Sequence, residues 1–158
     1  NWEQIEVELT LPLQKCHLPS GEYFIREFWA GDAGRVSGDT LALGAIPAHG
    51  VRLFSLRPVS PNDGGNPDAP VPVYLGSDLH ISQGLEVFDW AQTPSGQLRI
   101  GLNRPGKAAG VVDLYLPRAP ENARLNQVAV EWQSLGAGLY RFQLEFNQKA
   151  VLEISQES

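Results

Sequence analysis

The sequence predicts an all-β chain, an antiparallel β-sandwich built as two tandem sandwich-like modules. Three observations carry this expectation. Polar and apolar residues alternate with period two over short stretches, the mark of strands with one buried face. Sixteen Gly and 12 Pro punctuate those stretches where turns are needed. Only 19% of the 158 residues are charged, and three are lysines, too few for the dense Glu/Lys faces of amphipathic surface helices. A single compact sandwich is the alternative, because a module of about 60 residues is close to the lower limit for an independent core.

The first element is Gln4-Ile5-Glu6-Val7-Glu8-Leu9-Thr10-Leu11, which alternates over eight residues. Glu22-Tyr23-Phe24-Ile25-Arg26-Glu27-Phe28-Trp29 is an aromatic-rich strand, closed by the turn residues Gly31-Asp32-Ala33-Gly34. Thr40-Leu41-Ala42-Leu43 and Val51-Arg52-Leu53-Phe54-Ser55-Leu56 follow, joined through Ile46-Pro47-Ala48-His49-Gly50. Residues 58–72 then hold five prolines, which fix φ and remove backbone donors, so no sheet ladder is expected through them. This divides the chain into a module at 1–60, a Pro-rich linker at 61–72 and a module at 73–158.

In the second module the strand patterns are Leu79-His80-Ile81-Ser82, Leu85-Glu86-Val87-Phe88-Asp89-Trp90, Gln97-Leu98-Arg99-Ile100-Gly101-Leu102 and Gly110-Val111-Val112-Asp113-Leu114-Tyr115-Leu116. Residues 127–132, 138–146 and 151–154 complete about eleven strands, with no helix pattern. Residues 18–23 and 135–140 look like the same device, a Gly turn leading into a strand that opens with Tyr, each preceded by an alternating segment. Both therefore read as hairpins.

Net charge −6 and the lack of any Lys/Arg cluster leave no electrostatic footprint for nucleic acid. No apolar run reaches the length of a membrane span. A hydrophobic content of 42% excludes wholesale disorder. The lone Cys16 cannot form an internal disulfide. The chain opens Asn1-Trp2 and contains no Met, so it reads as an excised piece of something longer.

Chemistry is sparse. His80-Ile81-Ser82-Gln83-Gly84 has the outline of a nucleophile elbow, but that elbow needs a following helix, and residues 85–90 read as a strand. His17, His49 and His80 lack metal-ligand spacing. Asp63, Asn66 and Asp68 offer oxygens for a weakly held Ca²⁺ at most. Glu86 and Asp89 are the only close acids in an aromatic setting, and a solvated strand edge is the simpler role for both. Trp29, Trp90 and Trp132 sit in or at the ends of strands, where a ring can stack on a sugar or close a core. No catalytic residue, metal ligand or cofactor is assigned. Trp90 and Trp132 are the candidate carbohydrate platforms, and His49 is expected to hydrogen-bond backbone in its turn.

Gly21-Glu22-Tyr23-Phe24-Ile25-Arg26-Glu27-Phe28-Trp29, followed by Ile46-Pro47-Ala48-His49-Gly50 and the apolar run to Pro58, resembles the C-terminal β-sandwich of bacterial α-galactosidase-like glycoside hydrolases of the melibiase clan. Residues 5–58 match the motif order of that domain, and residues 74–84 look like a segment that follows it in larger members. The resemblance implies a non-catalytic accessory region, with the first strand cut off and the catalytic aspartates on a (β/α)₈ barrel upstream. The implied partner is that catalytic domain, met through Trp2, Phe28 and Trp29. The residues alone leave two other readings open: a carbohydrate-binding module using Trp90 or Trp132, and an unrelated structural or adhesive sandwich.

Overall fold

The structure, a computed structural model, describes residues 1–59 and 70–157. The described chain is almost entirely antiparallel β-structure, in twelve strands with one single-turn 3₁₀ helix, Leu13–Cys16. It has no helix long and apolar enough to cross a membrane. Two compact units divide it, Asn1–Val59 and Ser60–Ser158. The candidate Ca²⁺ residues Asp63, Asn66 and Asp68, and most of the Pro-rich linker, lie outside the described residues.

In the first unit, β1 (Val7–Pro12) and β4 (Thr40–Ile46) form a two-stranded sheet. β2 (Gly21–Glu27) is the centre of a three-stranded sheet, flanked by β3 (Ala33–Gly38) and β5 (Phe54–Pro58). Tyr23 on β2 packs with Leu13 and Leu41, and Leu11, Leu18, Ile25, Val36, Leu43 and Leu56 close around them. Phe24 and Arg26, on the other face of β2, are fully buried, and the Arg35 guanidinium lies 5.0 Å from the centre of the Phe24 ring. Three expectations change. Residues 5–11 and 22–29 do not pair as a hairpin, because the 3₁₀ turn, ended by His17 at φ 56, separates them and β1 pairs with β4. β3 had no clear alternation to announce it. The ladder also runs one proline further than expected, with Pro58 opposite Tyr23, which is tolerated because β5 is an edge strand.

The second unit contains β6 (Val73–Ser77), β7 (Val87–Gln92), β8 (Leu98–Tyr115), β9 (Pro120–Leu125), β10 (Val128–Ala129), β11 (Trp132–Gly136) and β12 (Leu139–Gln156). The four strands expected over residues 97–102, 110–116, 138–146 and 151–154 are two continuous strands of 18 residues each. Straight, each would reach about 60 Å at ~3.3 Å per residue, far longer than a domain of this size, so the pair has to bend. It bends where Asn147 is opposite Lys107 and Lys149 is opposite Asn103. There the single residue Gln148 (φ 60) faces a three-residue excursion, 104–106, with Gly106 at φ 70. Such a bulge increases local twist and turns a strand from one layer into another. Pro105 is compatible with it because the ladder is interrupted there.

The bend divides the sheet built on the long β8–β12 pair into a four-stranded and a five-stranded arm. In one, β6 and β11 flank residues 112–115 and 139–142. In the other, β7 flanks residues 98–102, while β9 flanks 152–156 and carries β10. The inward residues of both arms meet in one core: Leu98, Ile100, Leu102, Val112, Leu114, Leu116, Phe142, Leu144, Leu152 and Ile154 are all at most 1% exposed. Residues 79–82, expected as a strand, instead form turns in a loop before β7. Residues 127–132 are not one strand but the short β10 and the start of β11.

Candidate functional site

Strand register decides what each tryptophan can do. Trp90 is opposite Ile100 and Trp132 is opposite Phe142. Residues directly opposite each other point to the same face, and Ile100 and Phe142 are completely buried. Both indoles therefore stand on the core side of an edge strand and close the margin of the core. They keep 39% and 38% of their surface exposed, and the Trp132 ring is 6.4 Å from that of Phe142. β7 flanks β8 and β11 flanks β12, so the two rings sit at opposite edges of the ribbon and form no joint platform.

The aromatic on the solvent face is Phe88. It is the extra residue in a bulge between Val87 and Asp89 and lies against Gly101, where an added Cβ would come within 2.7 Å of Cζ. The Lys149 ammonium is 5.7 Å from the centre of its ring. A glycine inside a strand pattern marks close approach by a neighbour, so Gly101 was the sequence signal for this packing. Beside Phe88, Asp89 binds Arg99. Glu153 is opposite both Arg99 and Arg124, completing a row of alternating charge across four strands.

Glu86 is not the solvated edge residue expected. It is 1% exposed. Its Oε1 accepts from the Tyr74 hydroxyl at 2.6 Å and from the Ser77 hydroxyl, and its Oε2 accepts from the Gly84 N–H at 2.8 Å. A buried carboxylate is tolerable when several donors replace its water. The arrangement ties β6 to the loop 78–86, whose other end is held by Val111 N–H donating to Asp78 at 2.6 Å. Chemically it is a latch, with both oxygens engaged.

His80 and Ser82 meet, but within a turn. Ser82 N–H donates to His80 Nδ1 at 3.0 Å, and Ser82 Oγ lies 2.7 Å from the same nitrogen. The backbone donor requires Nδ1 to accept, so the hydroxyl donates its own proton there, while Oγ accepts from Leu85 N–H at 3.0 Å. Gln83 follows at φ 52 and no helix begins, so this is side-chain capping of a turn. No group of three or more potential metal ligands forms among the described residues.

In the first unit, His49 closes the Pro47–Gly50 turn with its backbone, at φ 55, and Gly50 N–H donates to Pro47 O at 2.8 Å. Among the described residues its exposed ring makes no hydrogen bond, contrary to expectation. Asn1 Nδ2 donates to Ile5 O, Ile46 O and Pro47 O at 2.8–3.0 Å. With the Asn1 ammonium donating to Gly50 O at 3.0 Å, these bonds tie the first residues to the turn at 46–50, and Trp2, Ile5 and Val51 in the bonded segments are 92%, 69% and 71% exposed. Phe28 and Trp29 pack edge to face at 5.5 Å, Trp29 remaining exposed. No protein-family model and no curated protein matches this chain.

Proposed function

We propose that this chain is a non-catalytic accessory region of an α-galactosidase-like glycoside hydrolase, supporting a catalytic barrel that precedes it in the parent protein. The observation that carries the reading is the exposure of the large apolar residues Trp2, Ile5 and Val51, in segments that Asn1 ties to the turn at 46–50. Large apolar side chains left in solvent are what a docking face offers a partner. The motif order of residues 5–58, which includes Phe28 and Trp29, supports the assignment to that clan. In this reading the chain itself hydrolyses no glycoside, and its partner is the upstream domain rather than nucleic acid or a membrane.

The parent gene tests it. A (β/α)₈ pattern upstream of Asn1 is expected, and Trp2→Ala in the parent should lower the melting temperature of the barrel while leaving that of the isolated chain unchanged. A parent without such a barrel overturns the reading. The half-exposed Trp90 and Trp132 favour a second reading, carbohydrate binding. Retardation of the chain in a polysaccharide affinity gel, lost in Trp90→Ala or Trp132→Ala, would establish it.

A further inference from the structure

The β12 edge that faces β9 and β11 is covered twice, by β11 along residues 139–142 and by β9 along residues 152–156. Among the described residues no strand pairs with it between them, although Asn126 exchanges hydrogen bonds with Val151 at the β9 end. On this edge the Gln143 N–H donates to Glu131 O at 3.0 Å. Glu145 and Asn147 are in phase with Gln143, so their amides and carbonyls turn the same way. Beside Gln143 and Glu145 lies an open cavity of about 470 Å³, with Leu125, Val128, Val130 and Glu131 also in its walls.

We propose that this groove takes a short extended peptide in which basic and apolar residues alternate, added as a strand beside β12. Strand addition uses exposed main-chain groups for affinity and side-chain pockets for choice of sequence. The period of two is set by the host strand. One face of an added strand meets Leu125 and Leu144, the other meets Glu131 and Glu145. Among the described residues no Lys, Arg or aromatic side chain lines the cavity. That favours a cationic peptide in a chain of net charge −6 and disfavours a sugar, which stacks on rings. Glu145 already holds Lys107 at 2.6 Å through Oε1, which leaves Oε2 for a guest.

The test is fluorescence anisotropy of the full chain with a labelled, end-blocked Val-Lys-Val-Lys-Val peptide. Saturable binding is expected, weakened about tenfold by E131K/E145K, since opposing charges across strands become like charges at two positions. Because both acids are exposed, the variant should keep its circular dichroism. A copy N-methylated at alternate amides, used with the unaltered chain, should bind far more weakly, and the amides of Glu145 and Asn147 should move in NMR spectra. Failure of saturable binding overturns the proposal. So do equal affinity for Val-Glu-Val-Glu-Val, indifference to N-methylation, or preferential binding of a maltopentaose probe at this groove.

Discussion

The two units use the same antiparallel pairing to very different effect. The first has five strands of five to seven residues in two small sheets, and its clustered core holds three buried side chains, Leu13, Tyr23 and Leu41. The second has two 18-residue strands joined to each other over nearly their whole length, and its core holds fifteen. The difference lies in continuity. One long antiparallel strand pair folded at a bulge supplies both layers of a core from the same two strands. Short strands that change partner at every turn leave more residues half-buried, and burial of apolar surface is the dominant stabilising contribution.

That contrast can be broken most easily at its centre. Phe142→Ala should destabilise the second unit by about 3–5 kcal/mol, and Leu13→Ala the first by about 2 kcal/mol, since a loosely enclosed site relaxes more readily around the lost side chain. Denaturant titration of each variant checks this, and equal costs would remove the distinction. Native-state hydrogen exchange should follow the same order, with the core-facing amides of β8 and β12 exchanging more slowly than those of β1 and β4.

Glu86→Ala should cost about 2–3 kcal/mol, because three donors around a buried carboxylate lose their acceptor. Glu86→Gln, which keeps one oxygen, should cost less. An unchanged Cm in Glu86→Ala would show that the latch contributes nothing to the second unit. His49→Gly should stabilise the first unit by about 0.5 kcal/mol, as relief of the left-handed backbone is partly offset by glycine's extra freedom when unfolded. His49→Ala keeps the backbone penalty, so its melting temperature should stay close to that of the parent chain. The smallest effect belongs to Lys107. Its hydrogen bond to Glu145, with their mutual attraction, raises its pKa above the ordinary lysine value. That contribution is complete below the unfolded-state pKa and disappears as pH rises through the raised folded-state value. The pair is solvent-exposed, so Lys107→Ala should leave the melting temperature unchanged at neutral pH.

The site was only partly legible from sequence. Trp90 and Trp132 were found by residue type, but which face they occupy is a matter of register, and their opposite neighbours Ile100 and Phe142 lie 10 residues away in each case. Glu86 reads as a solvated edge acid within the strand pattern of residues 85–90. Its donors Tyr74 and Ser77 lie on β6, which the alternation pattern did not single out. The groove beside β12 had no signature, since its walls are ordinary aliphatic, amide and acidic residues drawn from three separate stretches of chain, at 109, 125–131 and 143–145.

By itself the sequence determined the all-β antiparallel class and most strand positions, because the period of two is a local property of a half-buried strand. It also located several turns, through the chemistry of Gly and Pro. Tertiary structure decided partner, continuity and face. Pro105 and Gly106 look like the end of one strand and the start of another, yet a compensating residue on β12, Gln148, turns the same letters into a corner of a single strand. Whether a local irregularity ends a strand or bends it depends on what lies across the ladder, and that neighbour is about forty residues away along the chain.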